Sequence, residues 1–187
     1  MNRPLKIFFL AGPFVLFLVL ASLFAFKLIS YDPDSIPNVS NALADKHVPK
    51  TIIPLFDKSG EIQPDVFFKN RIKLVNFWGS WCKDCRVEHP VLVKLSNDKR
   101  FDLIGINYRD SKNSATRFLN GFSNPYEVIG FDPKGRIAID WGVYGAPETF
   151  LVDQNGIIRY KHIGAMSEKI FTEKFEPIIE ELLTENQ

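Results

Sequence analysis

The chain has 187 residues, 45% apolar and 24% charged, which fits one domain with an appendage and not two full domains. Arg3, Lys6 and Lys27 are the only charges before Tyr31, so beyond that point 20 of the 23 basic residues face all 22 acidic ones, a balance that excludes a dedicated nucleic-acid binder. The 17 Phe, 5 Tyr and 3 Trp exclude a disordered chain, and two cysteines exclude a disulfide-stapled or Cys-rich zinc scaffold.

Ile7 to Phe26 is a run of 20 residues without a charge. As a helix it would span roughly 30 Å, the thickness of a hydrocarbon core. Arg3 and Lys6 precede it, and Asp32 and Asp34 follow. The positive-inside bias therefore keeps residues 1–6 in the cytoplasm, makes 7–26 a transmembrane anchor and exports the remainder. The competing reading is a cleaved signal peptide, with Val19-Leu20-Ala21 as the nearest approach to a cleavage site. Either reading puts the globular part outside the cytoplasm, where a thiol pair tends to oxidise.

Residues 27–45 mix Pro, Asp, Ser and Asn and read as a linker, leaving residues 46–185 as a domain expected to be monomeric without its anchor. Lys73 to Trp78 is an apolar run expected of a central strand covered on both faces. Gly79-Ser80 breaks it, and a helix follows from Cys82 to Ser96, with Val87, Val91 and Leu95 on one face and Pro90 as a kink. Phe101 to Tyr108 is the next strand. Ser111 caps a helix through Asn120 that Gly121 ends. Glu148 to Val152 and Ile157 to His162 flank Asn155-Gly156 as a hairpin. A last amphipathic helix carries Ile170, Phe171, Phe175, Ile178, Ile179, Leu182 and Leu183, with the Lys and Glu of 168–176 on its solvated face. Trp141 reads as core. This order of elements predicts an α/β fold with a mixed central sheet flanked by helices.

The only two cysteines, Cys82 and Cys85, stand just past a strand and at the start of a helix. The first helical turn has unsatisfied N–H groups and a partial positive charge, so a thiolate at Cys82 is stabilised there. Cys85 lies one turn on, within reach of a disulfide. The expectation is an exposed Cys82 as attacking sulfur and a shielded Cys85 that resolves the mixed disulfide. Haem attachment needs His directly after the second cysteine, where Arg86 stands. A zinc site needs four ligands, and His89 supplies at most a third. Metal binding and an inert structural disulfide are the remaining alternatives to a redox pair.

Trp81-Cys82-Lys83-Asp84-Cys85 after an apolar strand, with Pro90 beyond it, resembles the thioredoxin fold over roughly residues 46–185. Gly142-Val143-Tyr144-Gly145-Ala146-Pro147-Glu148-Thr149-Phe150 narrows the resemblance. With Arg86-Val87-Glu88-His89, Asn124-Pro125-Tyr126 and Gly156-Ile157-Ile158-Arg159-Tyr160, it is similar to the membrane-anchored thiol:disulfide interchange proteins of cytochrome c maturation, the CcmG/DsbE family. The resemblance implies a protein-disulfide reductase at the bacterial inner membrane, its catalytic domain in the periplasm. Its client would be apocytochrome c or a thiol-carrying maturation partner. Its electrons would come from a transmembrane thiol reductase of the DsbD/CcdA type. No cofactor beyond the Cys82–Cys85 disulfide and no metal is implied.

The resemblance also implies a cis Pro147 that holds the Ala146 backbone beside the disulfide for a substrate strand, with Gly145 allowing close approach. It places Glu88 and Glu148 near the cysteines as an acidic setting that disfavours the thiolate. Asn76 stands where many thioredoxins carry a buried Asp, and Asn cannot titrate, so a nearby Glu is the expected proton carrier for Cys85. Lys83 favours the thiolate and Asp84 opposes it. Trp81 is expected beside the disulfide. His47, His89 and His162 have no supporting spacing and read as structural or surface residues. Two other functions compete. A related periplasmic reductase with other clients fits all but the Gly142–Phe150 motif. A copper-delivery protein would want a wider cysteine spacing and a His or Met cluster, and only Met1 and Met166 are present.

Overall fold

The computed structural model describes residues 3–29, 45–68 and 70–185, and the chain divides into two units, residues 1–39 and 40–187. In the first, helix α1 runs from Arg3 to Ile29 with Pro13 inside it. Among the described residues no helix is long and apolar enough to cross a membrane. The expected span of 7–26 falls inside α1, and the expected linker lies outside the described residues from 30 to 44.

In the second unit three short strands come first: β1 (Lys46–His47), β2 (Ile53–Pro54) and β3 (Glu61–Ile62), followed by the short helix α2 (Pro64–Phe67). Then come β4 (Ile72–Trp78), α3 (Lys83–Leu95), β5 (Phe101–Tyr108), α4 (Lys112–Phe122), β6 (Val128–Asp132) and α5 (Arg136–Asp140). The hairpin strands β7 (Glu148–Val152) and β8 (Ile157–Ile163) precede the C-terminal helical segment. The main sheet has the order β1-β8-β7-β4-β5-β6. Strands β4, β5 and β6 are parallel, each joined to the next through a helix, while β7 runs antiparallel to both β4 and β8. β2 and β3 form a separate antiparallel pair.

Central position explains why β4 is buried at all seven residues. Its side chains alternate between two cores. Leu74 and Trp78 join Leu92 of α3, Phe118 of α4, and Phe175 and Ile179 of the C-terminal segment. Val75 and Phe77 join Ile53, Ile62, Phe150 and Trp141 on the other face. Trp141, expected as core, is fully buried among Phe68, Phe77 and Phe150. Truncating such a residue to Ala costs about 3–5 kcal/mol.

Several elements differ from expectation. β6 and the three short N-terminal strands carry too little periodicity to stand out as sequence. α4 runs past Gly121 to Phe122, because Phe122 packs on Phe118 and on the ring of His89; Ser123 then takes the positive φ, 72°, expected at the glycine. The last helix is three pieces: α6 (Glu168–Ile170), a π-helical turn (Phe171–Phe175) and α7 (Glu176–Thr184). Pro177, in the first turn of α7, removes an N–H donor at that junction and breaks the regular ladder.

Candidate active site

The segment between β4 and α3 is held from below. Asp110 accepts hydrogen bonds from Ser80 N (2.7 Å), Ser80 Oγ (3.0 Å) and Asn107 Nδ2 (3.2 Å). The Trp81 indole lies over Gly79, where an added Cβ would come within 2.5 Å of Nε1. That Nε1 donates to Tyr108 O at 3.2 Å, yet Trp81 remains 54% exposed. Cys82 follows in an extended conformation as the N-cap of α3, and its sulfur accepts the N–H of Cys85 at 3.0 Å. The two cysteines form a disulfide with Cα atoms 5.3 Å apart.

The sequence led us to expect an exposed Cys82, and the structure does not show one. In the oxidised state Cys82 is 4% accessible and Cys85 is 2%. The cover on Cys82 is the chain before β7: the Ala146 carbonyl oxygen is 3.3 Å from its sulfur. Ala146–Pro147 is a cis peptide and Pro147 is buried. A Cβ on Gly145 would meet nothing within 4 Å. The fold itself therefore does not require glycine there, and open space lies beside the loop. Lys83 and Asp84 are exposed on the first turn of α3.

Glu88 lies one turn beyond Cys85 and is fully buried. Its Oε1 accepts from Asn76 Nδ2 (2.9 Å) and its Oε2 from Met166 N (2.8 Å). The same Asn76 amide donates to Thr149 Oγ1 (3.0 Å) and accepts from Tyr126 OH (2.8 Å). Every direct partner of the carboxylate is neutral. Burial pushes its pKa from 4.5 to about 7; the Met166 and Asn76 bonds oppose that rise, and the charge of Asp84 adds to it. Burial, and then the Glu88 charge, push the Tyr126 hydroxyl well above its usual range.

Glu148 is also fully buried, so it is not a solvated acid. It does not share a setting with Glu88. Asn76 pairs across the sheet with Thr149, which shares its face, so Glu148 points to the opposite face. There its Oε2 is 2.7 Å from Lys161 Nζ, and its Oε1 accepts from Tyr144 N (2.7 Å) and Gly145 N (3.1 Å). The joint acidic setting expected from sequence is thus resolved into one carboxylate without a cation and one that is ion-paired.

His89 is buried, with Nε2 2.8 Å from Ser123 O, and desolvation lowers its pKa. His47 is exposed on β1, and His162 packs its ring toward Phe175. Among the described residues no group of His, Cys, Asp and Glu could hold a metal. Sequence reasoning missed Asp110, Met166 and Lys161, and gave Tyr126 no role. For Lys161 a signal existed: counting outward from the Asn155-Gly156 turn puts a lysine on the Glu148 face of a buried hairpin.

A disulfide at a helix N-terminus, a backbone carbonyl beside its first sulfur and a buried carboxylate one helical turn beyond its second cysteine make a thiol:disulfide exchange site. The comparisons agree. Residues 44–179 match the Redoxin family. The chain is 38% identical over 186 residues to the thiol:disulfide interchange protein DsbE of Vibrio cholerae, covering 99% of this chain and 98% of that one. It is 38% identical over 170 residues to DsbE of Escherichia coli, covering 90% and 91%. Among solved structures, a DsbE-like chain from Chlorobium tepidum superposes with a TM-score of 0.63 at 26% identity, covering 75% of this chain and 97% of that one. The chain belongs to the redoxin family, among the thioredoxin-like thiol:disulfide interchange proteins of the DsbE type.

Proposed function

We propose that the protein is a membrane-anchored periplasmic reductant of cytochrome c maturation, which reduces apocytochrome c or a partner bound to it so that haem can be attached. Electrons would come from a transmembrane thiol reductase of the DsbD/CcdA type. The observation that carries the reducing direction is Glu88. A buried carboxylate one turn from Cys85, with no cation in contact, disfavours a second negative charge at the sulfurs. An oxidant of this class works because its reduced form is stabilised; here that stabilisation is opposed. The likeness to DsbE over 186 residues, N-terminal segment included, supports the anchor, as does the uncharged run within α1.

The Cys82 thiolate attacks one sulfur of the client disulfide, forming a mixed disulfide and releasing a client thiolate. Cys85 gives its proton to the Glu88 carboxylate and attacks the Cys82 sulfur. The second client thiolate leaves, and both client thiolates take up protons. The client gains two electrons and the protein loses two, closing the Cys82–Cys85 disulfide. Asn76 and Met166 hold the acceptor in place through both steps.

The test is capture in cells. Cys85→Ser removes the resolving sulfur, so the mixed disulfide on Cys82 persists. Apocytochrome c or a haem-handling partner attached through Cys82 is the expected catch. A catch drawn only from unrelated periplasmic proteins would instead favour a general reductase.

A further inference from the structure

Lys161 has no part in the exchange chemistry, yet it is a lysine 2% accessible at its side chain, set inside a sheet. Its Nζ donates to Gly142 O at 2.7 Å and lies 2.7 Å from Glu148 Oε2. It also stands 4.7 Å from the centre of the Tyr144 ring and 5.2 Å from that of Phe150. Glu148 uses its other oxygen on the N–H groups of Tyr144 and Gly145. One cation and one anion thus bind three main-chain groups of the short irregular segment that ends at Ala146 and Pro147. None of these three groups belongs to a strand or helix that would pair it.

A buried ion pair is weak support for stability, since an apolar pair of like volume often serves as well. The arrangement is better explained by where the loop must stand. Its Ala146 carbonyl is 3.3 Å from the Cys82 sulfur, beside the open space at Gly145. An extended peptide pairing there needs the loop fixed before it arrives. We propose that Glu148 and Lys161 form a positioning pair that fixes the Gly142–Pro147 loop for docking of an extended peptide disulfide, and that Glu148 does not tune the cysteines by its charge. The pair lies across the sheet from Asn76 and Glu88, and Lys161 neutralises the carboxylate at contact distance. The inference rests on thiol:disulfide exchange alone and holds whichever protein is the client.

The test uses the full-length chain in mild detergent, reduced, with three readouts. These are the rate with a disulfide-bonded peptide, the rate with a small disulfide such as hydroxyethyl disulfide, and the equilibrium with glutathione. The double variant Glu148→Gln/Lys161→Met removes both charges and keeps the volume. We expect its peptide rate to fall about tenfold, with the small-disulfide rate and the glutathione equilibrium within about twofold of the parent. Lys161→Arg should retain most of the peptide rate. An unchanged peptide rate, or an equal loss on both substrates, would overturn positioning. A shift of the glutathione equilibrium with both rates moving together would make Glu148 a redox-tuning acid instead. If the double variant does not fold, Glu148→Asp decides. It keeps the charge but shortens the reach to the Tyr144 and Gly145 N–H groups, so the peptide rate should fall while the small-disulfide rate and the glutathione equilibrium hold. An unchanged peptide rate or a moved equilibrium refutes the proposal.

Discussion

On the sheet face that carries α3, Glu88 is buried among neutral partners: Asn76, the Met166 N–H and, through Asn76, Tyr126 and Thr149. On the other face Glu148 is equally buried, but against Lys161. The same side chain at the same depth therefore does different chemistry. Burial pushes the Glu88 pKa up to about 7, and Glu88 lies one helical turn beyond Cys85. Glu148 is committed to a cation and to two loop N–H groups.

The comparison breaks most sharply if one partner is removed. Lys161→Met, with Glu148 kept, leaves a buried charge unpaired and should lower stability by about 3–5 kcal/mol. Glu88→Gln, whose carboxylate has no ion-pair partner among the described residues, should not lower stability by any comparable amount at neutral pH. Urea denaturation of both variants measures the contrast.

The next effect is a pH dependence. The unfolded Glu88 carboxyl ionises near 4.5 and the folded one near 7. Between these values the folded state binds more protons, so stability falls as pH rises. The contribution is fully present below 4.5 and is lost through about pH 7; the 2.5-unit gap corresponds to about 3 kcal/mol. Denaturant melts of the oxidised protein across this range should show the slope, and Glu88→Gln should flatten it. A slope that survives in that variant would mean another group titrates.

A smaller loss is expected from Asn76→Ala. It strips Glu88, Thr149 and Tyr126 of a shared partner, at a cost of about 1–3 kcal/mol. Because the Asn76 bond lowers the Glu88 pKa, its removal should raise that pKa further. The midpoint of the pH slope, followed in this variant, reads the shift directly.

Much of the site was legible as sequence because its determinants are local. The apolar run of β4, the break at Gly79-Ser80, Cys82 at a helix start and the Asn155-Gly156 turn each declare themselves within a few residues. The surroundings of the two glutamates are not local. Glu88 meets Met166 from beyond β8 and Asn76 from β4, and Asn76 in turn accepts from Tyr126 of a third segment. The burial of Cys82 is likewise tertiary, since its cover arrives with Ala146. β6 was lost for another reason: Val128–Asp132 is short and contains Gly130, whose added Cβ would lie 2.5 Å from Ile53. It is shaped by close packing on β2, which its own sequence does not announce.

The central claim is that the Cys82–Cys85 pair donates electrons. Its equilibrium with glutathione, together with its thiol state in growing cells, measures this most directly. Strong oxidants of this fold stand near −120 mV and thioredoxin-like reductants near −270 mV, as rough values. With Glu88 opposing thiolate charge, the potential should lie toward the second value and the protein should be mostly reduced in cells, losing that state when the membrane thiol reductase is deleted. A potential near −120 mV, as a rough value, with a mostly oxidised protein in cells, would make it an oxidase and contradict the account.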